Sequence, residues 1–305
     1  VIVMEPSFYT MPPTFPRIRE KMCSYQALCN RRSTAVFPIG RSLLGRGIYA
    51  VRLGNPRRFS LFVGGVHGQE WLTVLLLFRF LDDLFSSITQ NRPLADIQIK
   101  KALDHQGLVV VPALNPDGIS IALEGASGAP GIERQVTNLC GGDFSHWQAN
   151  ARGVDLNHNF AAGFHLCKQA EQAAGILGPG PGKYGGERPE SEPETRAICR
   201  FIRTQPVRQL YAFHSQGEEI YYQYGEYTPP RAPLIAQVLA SASGYALSQP
   251  TGTASHGGLK DWFIETFHRP GFTIEIGRGK NPLPITELEP IYARLIEMLL
   301  AAMIL

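Results

Sequence analysis

The stretch Leu61-Phe62-Val63-Gly64-Gly65-Val66-His67-Gly68-Gln69-Glu70 constrains this chain more than any other. A short apolar run meets two glycines, and a histidine and a carboxylate follow three residues apart. From Trp71 to Phe85 most residues are apolar, and Arg79, Asp82, Asp83 and Ser86 form one polar stripe at helical spacing. A strand therefore runs through a turn into a mostly buried helix, with His67 and Glu70 at the turn. In open α/β sheets such turns lie at the carboxyl ends of strands, where ligands bind. A histidine and a carboxylate are a partial set for zinc, which in catalytic sites takes three protein ligands and keeps a fourth position open. Alone, the His-x-x-Glu spacing is unspecific, because such pairs are common as surface polarity. The rest of the chain decides between the two readings.

Strand-like and helix-like segments alternate along that remainder. Phe15 to Asn30 reads as a helix with Ile18, Met22, Tyr25 and Cys29 on one face. Thr34 to Ile39 and Ile48 to Leu53 read as a hairpin across the glycine-rich turn 40–47. Gly107 to Leu114 is a further strand, ending in the turn signal Asn115-Pro116-Asp117-Gly118. Residues 124–148 lack periodicity and read as loop, and Gly153 to Phe160 is a short element. Gly175 to Gly186 holds six glycines and two prolines, a composition that suits the wall of a pocket. Ser191-Glu192-Pro193-Glu194 reads as a capping box opening a helix with Ala197, Ile198, Phe201 and Ile202 inward, and Thr286-Glu287-Leu288-Glu289 as a second box before the last helix. Gln209 to His214 and Glu219 to Tyr224 read as strands, and Pro233 to Ser243 as a helix closed by Gly244. Leu259 to Phe267 is a helix, and Gly271 to Ile276 a strand carrying Glu275. The alternation predicts one α/β domain over residues 1–305, built on a twisted, mixed, largely parallel sheet of about eight strands with helices on both faces.

A hydrophobic content of 44% in 305 residues is enough for a sizeable core, and the net charge of +3 is small with its basic residues scattered. Nucleic-acid and membrane-surface functions are therefore not expected. Five cysteines, an odd number with no Cys-x-x-Cys pair, read as mostly buried thiols in a reducing compartment, the cytoplasm. Val1-Ile2-Val3-Met4 followed by Glu5-Pro6 is too short an apolar stretch for a signal peptide, although a start without Met leaves a removed leader open. The terminal run Met298 to Leu305 falls far short of the ~20 residues that span a bilayer and reads as a packed helix end.

Three strand ends carry the chemistry: His67 and Glu70 after one, His214 closing another, and Glu275 within a third. A lone histidine at a strand end is usually a satisfied turn residue. A carboxylate inside Thr273-Ile274-Glu275-Ile276 is less ordinary, because a buried carboxylate is costly unless compensated. In chain order the motifs are His67-Gly-Gln-Glu70, Asn115-Pro-Asp-Gly118, Trp147-Gln-Ala-Asn-Ala-Arg-Gly-Val-Asp-Leu-Asn157, Glu192-Pro-Glu-Thr195, His214-Ser215, Gly257-Gly-Leu-Lys-Asp-Trp262 and Phe272-Thr-Ile-Glu275. Together they resemble the zinc carboxypeptidases of the carboxypeptidase A type, and in particular a bacterial branch, the γ-D-glutamyl-meso-diaminopimelate peptidases.

That resemblance implies one zinc per chain held by His67, Glu70 and His214, with Glu275 as general base. It implies a peptidoglycan-derived peptide as substrate. An ordinary carboxypeptidase acting on α-linked peptides with acidic C-termini is the alternative, and a catalytically dead peptide-binding relative is the alternative from another class. Departures from the family pattern are informative. The Asn–Arg pair that grips a substrate's terminal carboxylate is Asn157–His158 here, which gives one donor in place of a bidentate fork. The arginine that polarises the scissile carbonyl is displaced, since Gln148 follows Trp147 and Arg152 is the nearest candidate. The family's mobile tyrosine falls at Thr253, with His256 as a substitute donor or a plain loop residue. Lys260 falls at the position that sets specificity, where it either lines the pocket and selects a substrate carboxylate or stands solvated on its helix. His105, His146, His165 and His268 match no motif, and Trp71, Trp147, Trp262, Tyr221, Tyr222 and Tyr224 read as packing.

Overall fold

A computed structural model describes residues 8–30 and 33–305 of the chain. The elements in chain order are α1 (Phe15–Leu28), β1 (Thr34–Arg41), β2 (Gly47–Leu53), β3 (Phe59–Val63), α2 (Leu72–Gln90), α3 (Ile99–His105), β4 (Gly107–Val111), α4 (Pro116–Glu124), α5 (Glu133–Cys140), α6 (Phe164–Ala173), α7 (Pro193–Thr204), β5 (Val207–His214), β6 (Glu219–Tyr221), α8 (Ala232–Ser243), β7 (Ala246–Ser248), α9 (Leu259–Phe267), β8 (Gly271–Glu275) and α10 (Leu288–Ile304). The strands form one eight-stranded sheet in the order β1-β2-β4-β3-β5-β8-β6-β7.

The apolar runs explain the middle of that sheet. Every residue of β3 and β4 is buried, as strands covered on both faces must be. β4, β3, β5 and β8 are mutually parallel, while the β1–β2, β2–β4 and β6–β8 pairs are antiparallel. Alternate residues go to opposite faces. Phe62, Val110, Tyr211, Phe213, Phe272 and Ile274 meet a core built from α1, α2, α8 and α10. Leu61, Val63, Val109, Val111, Leu210 and Ala212 meet α7 and α9 on the other side. A third, smaller cluster centres on Ile121, Val136 and Trp147. The mixed sheet, the helical layers and the single domain agree with the sequence-based expectation.

The charged residues of the α2 polar stripe pair with its neighbours, while Ser86 is exposed. Asp82 accepts hydrogen bonds from Tyr25 and Lys21 of α1, each at 2.7 Å, and Asp83 accepts from Arg79 and from Tyr292 of α10, each at 2.6 Å. Several local expectations need correction. Asn115-Pro116-Asp117-Gly118 does not turn the chain back. Asn115 caps α4, accepting from the amide of Gly118 at 2.9 Å, with Pro116 in the first helical turn. The supposed loop 124–148 contains α5. Neither capping box forms: Glu192, not Ser191, precedes α7, and Glu287 precedes α10, both without a side-chain cap. Only Cys167 and Cys199 of the five cysteines are buried, and none is in a disulfide. Among the described residues no helix is long and apolar enough to cross a membrane. The first six residues, on which the reading of a leader rested, lie outside the described residues.

Candidate metal centre

Because the four central strands run parallel, their carboxyl ends open on one edge of the sheet. β3 leads to His67 and Glu70, β5 ends at His214, and β8 ends at Glu275. His214 and Glu275 are register partners on adjacent strands. The turn after β3 is pinned by its glycines. Gly65 has φ +57°, and a Cβ there would come within 3.0 Å of Ala113 Cα and the Ile119 side chain. A Cβ on Gly68 would stand 2.2 Å from the Gly118 carbonyl oxygen, so only glycine fits. The amides of Gly68 and Gln69 donate to the carbonyls of Gln148 and Trp147 at 3.0 and 2.8 Å. Thr73 closes the bracket, donating to the Glu70 carbonyl while accepting from the Gly65 amide.

The turn thus aims His67 and Glu70 at His214, and the donor atoms of all three lie within 4.8 Å of one another. His67 Nδ1 is 2.8 Å from Glu70 Oε1, His214 Nδ1 is 3.1 Å from Glu70 Oε2, and the two Nδ1 atoms are 3.3 Å apart. Two imidazole nitrogens at about 2.0–2.1 Å from one tetrahedral zinc stand roughly 3.3–3.4 Å apart, so this spacing fits a shared ion. The donor chemistry fits as well, since two histidines and a carboxylate form a known catalytic zinc set.

The charges are arranged accordingly. Burial pushes the Glu70 carboxyl up, but His67 and His214 overcome it and hold it at about 2. Burial opposes a charge on His67, yet Glu70 and Asp155 raise its proton affinity well above the ordinary imidazole value. The site is therefore built for positive charge. Glu275 is raised well above the usual carboxylate range by burial and by Glu70, with His67 opposing and Glu219 adding.

Asp155 was not singled out from the sequence, and it holds the site from behind. Its Oδ1 is 3.0 Å from His67 Nε2 and accepts the amide of Asn157 at 3.0 Å, while Oδ2 accepts the amide of Lys183 at 3.0 Å. This second-layer carboxylate fixes the His67 ring and its tautomer. Burial raises the Asp155 carboxyl, but His67 and His158 win and keep it well below the ordinary range. The cue in the sequence was Asp155-x-Asn157, an aspartate capping a short 3-10 turn.

The other expected site residues separate into two groups. Lys260 and His256 line a cavity of about 310 Å³ together with Gln223, Tyr224, Gln249 and Asp261. The lysine is not solvated: Nζ lies 2.5 Å from Asp261 Oδ1 and donates to the Gln223 carbonyl at 2.6 Å. Burial raises the Asp261 carboxyl, and Lys260 opposes that rise. His256 Nδ1 is 3.0 Å from the Tyr224 hydroxyl, so Tyr224, taken as packing, stands at this cavity. Asn157 joins cavity and donors. Its amide bonds Asp155, and its Oδ1 accepts from the amide of Leu259, next to Lys260.

Arg152 and His158 are engaged with other partners. Arg152 has a side chain 54% exposed and pairs with Glu192 at 3.3 Å. The charges that shift Glu275 are those of Glu70, His67 and Glu219. His158 is buried, and its Nδ1 is committed to the Lys183 carbonyl at 2.9 Å, beside Cys167 and Glu171. Burial lowers its proton affinity, but Asp155 outweighs that and brings it to about 10. Through Nδ1 this buried imidazole braces the 183–185 segment.

With this geometry in hand, comparison with known proteins is direct. A family model described as zinc carboxypeptidase matches residues 22–297. A Lysinibacillus sphaericus protein named gamma-D-glutamyl-L-diamino acid endopeptidase 1 is 34% identical over 270 residues, covering 88% of this chain and 67% of that one. Carboxypeptidase B of Bos taurus is 26% identical over 275 residues, covering 83% of this chain and 60% of that one. Among solved structures, bovine thrombin-activatable fibrinolysis inhibitor superposes with a TM-score of 0.74 at 18% identity, covering 97% of each chain.

Proposed function

The chain belongs to the zinc carboxypeptidase family and is a zinc metallopeptidase, and from that premise we propose that it hydrolyses the γ-D-glutamyl–meso-diaminopimelate bond of bacterial cell-wall peptides. In this reading His67, Glu70 and His214 hold one zinc per chain, and Asp155 orients His67. A zinc ion held there would supply Lewis-acid chemistry, making water acidic enough to attack at neutral pH and polarising the scissile carbonyl. Glu275 accepts the proton as the carbonyl is attacked and returns it to the leaving amine. Burial and the neighbouring Glu70 raise its proton affinity, which suits a carboxylate to that exchange.

The observation that carries the substrate assignment is the wall formed by Lys260 and Asp261. It presents an ammonium and a carboxylate side by side in one cavity. The distal carbon of meso-diaminopimelate carries both an ammonium and a carboxylate, so each end finds its opposite charge. Lysine in the same position carries only the ammonium and brings no carboxylate to the Lys260–Asp261 pair. The 34% identical relative named as a γ-D-glutamyl-diamino acid endopeptidase supports the same class of bond. With His158 Nδ1 bonded to the Lys183 carbonyl, the Asn157–His158 pair offers no bidentate fork to a terminal α-carboxylate, which weighs against the carboxypeptidase alternative.

The test is a mass-spectrometric digest of L-Ala-γ-D-Glu-meso-diaminopimelate, of its lysine counterpart and of an α-linked peptide ending in glutamate, with and without chelator. Cleavage of the first, abolished by chelator, is expected. Equal kcat/KM for the diaminopimelate and lysine peptides would refute the substrate assignment. Preference for the α-linked peptide would establish the alternative.

A further inference from the structure

We infer that a trough between β1 and α7 binds a linear phosphodiester polymer of the polyol-phosphate type. Arg196, Arg200 and Arg203 of α7 are spaced by four and three residues, which puts them on one exposed face of the helix. Arg41, the last residue of β1, joins them from the strand side. These four arginines line a cavity of about 500 Å³ whose only acidic neighbour among the described residues is Glu190. The trough continues past Gly40, Arg41 and Arg200 into a second space of about 460 Å³, walled by Pro38, Ile39 and Tyr49.

Glu190 is already used. It pairs with Arg203 through both oxygens, at 2.5 and 2.9 Å, and that guanidinium also lies 5.2 Å from the Trp262 ring centroid. Arg196 donates to the carbonyls of Glu190 and Ser191, and Arg41 donates to the carbonyl of Gly45 at 2.9 Å, contacts that orient them without neutralising them. Arg200 has no acidic partner among the described residues. Four cations and one carboxylate leave three positive charges in one trough, equal to the formal net charge of the entire chain, +3. Basic residues that look scattered in the sequence are thus gathered by the fold into one field.

The residue type selects the ligand. Guanidinium groups match phosphate oxygens in a bidentate fork and stay charged at any physiological pH. Successive arginines on the helix face recur about every 4.5–6 Å along its axis, so an extended chain of anions is matched better than one compact ion. Single-stranded nucleic acid fits less well, because binding it rests on bases stacking on several aromatic rings, and among the described residues Tyr49 is the one aromatic lining either space. The inference does not depend on the zinc chemistry.

The experiment is fluorescence anisotropy with a labelled glycerol-phosphate decamer, using the whole chain, across 50–300 mM salt. Binding should weaken steeply with salt. Arg41→Glu/Arg200→Glu should weaken it at least tenfold and lower the log–log salt slope by about 2, one per lost phosphate contact. Arg200→Lys should retain most of it. Hydrolysis of a small peptide by the double variant should stay within twofold of wild type, which also shows that it folds; if it does not, Arg41→Gln/Arg200→Gln replaces it, with the same weakening expected. No binding by wild type at 50 mM salt, or binding unaffected by the variants, overturns the proposal. Equal or tighter binding of an oligodeoxythymidine of the same charge assigns the trough to nucleic acid and overturns it as well.

Discussion

Replacing Asp155 by Asn tests whether the site is held from its second layer. The substitution keeps the size and removes the charge 3.0 Å from His67 Nε2. Oδ1 serves both the His67 ring and the Asn157 amide, so the Asn side chain will keep its oxygen there and turn its amide nitrogen toward the Lys183 amide. Two donors then face each other in a buried place, which costs about 1–3 kcal/mol of stability. Loss of the carboxylate also makes His67 a poorer ligand, and second-layer changes of this kind weaken metal binding 10–100-fold, about 1.4–2.7 kcal/mol. Asp155 is depressed in the folded protein, so its contribution to stability is full above the unfolded value near 4 and disappears as pH falls below it. The stability gap between wild type and Asp155→Asn should accordingly shrink toward acid pH. Zinc competition against a calibrated chelator, with thermal melts from pH 3 to 8, measures both effects. A zinc affinity within threefold of wild type in Asp155→Asn, while His67→Ala loses the metal, would refute the reasoning.

His214→Ala should lose the metal by elemental analysis, whereas Glu275→Gln should keep it and lose 10²–10⁴ in turnover, the range for a general base; near-full activity in Glu275→Gln would remove it from that role. Lys260→Met should erase the preference for diaminopimelate over lysine peptides, a change of ~2–5 kcal/mol for one half of a desolvated charge pair, read as the ratio of kcat/KM values. Glu194, which accepts the Leu43 amide at 2.8 Å, is raised to about 7 by burial, with Asp117 adding to the effect. A raised acid contributes stability that is full below its unfolded value near 4.5 and is lost as pH rises through 7, about 3 kcal/mol across that window. Denaturant melts at pH 5 and 8 should therefore show a larger loss for wild type than for Glu194→Gln, and equal losses would disprove the assignment.

Where burial alone decides structure, the sequence was legible. β3, β4 and α2 are apolar enough to have one outcome, and with the strands ending in His214 and Glu275 they pointed to a largely parallel, mixed sheet, though not to its strand order. Short elements with little burial left no such trace: β7 is three residues with two exposed, and α5 buries only Val136. Polar patterns misled because one motif has several uses. Ser191 donates its hydroxyl to Glu192 instead of capping a helix. At the site, the residues found from the sequence are those whose type is chemically demanding. What position could not reveal was which partner each side chain had already taken. Lys260 had Asp261, Arg152 had Glu192, and His158 had the Lys183 carbonyl.

The parallel arrangement of β3, β5 and β8 also fixes when the site can exist. His67 and His214 are 147 residues apart in sequence and meet only after the chain between them has crossed over the sheet twice, through β4 and then β5. Contacts of that separation form late, because their loop entropy must be overcome before they contribute. Glu275 arrives later still, on the last strand to be synthesised. Zinc therefore cannot nucleate this protein as it nucleates a zinc finger, whose ligands are close in sequence. The hydrophobic layers hold the sheet, and it is the sheet that sets His67 and Glu70 opposite His214.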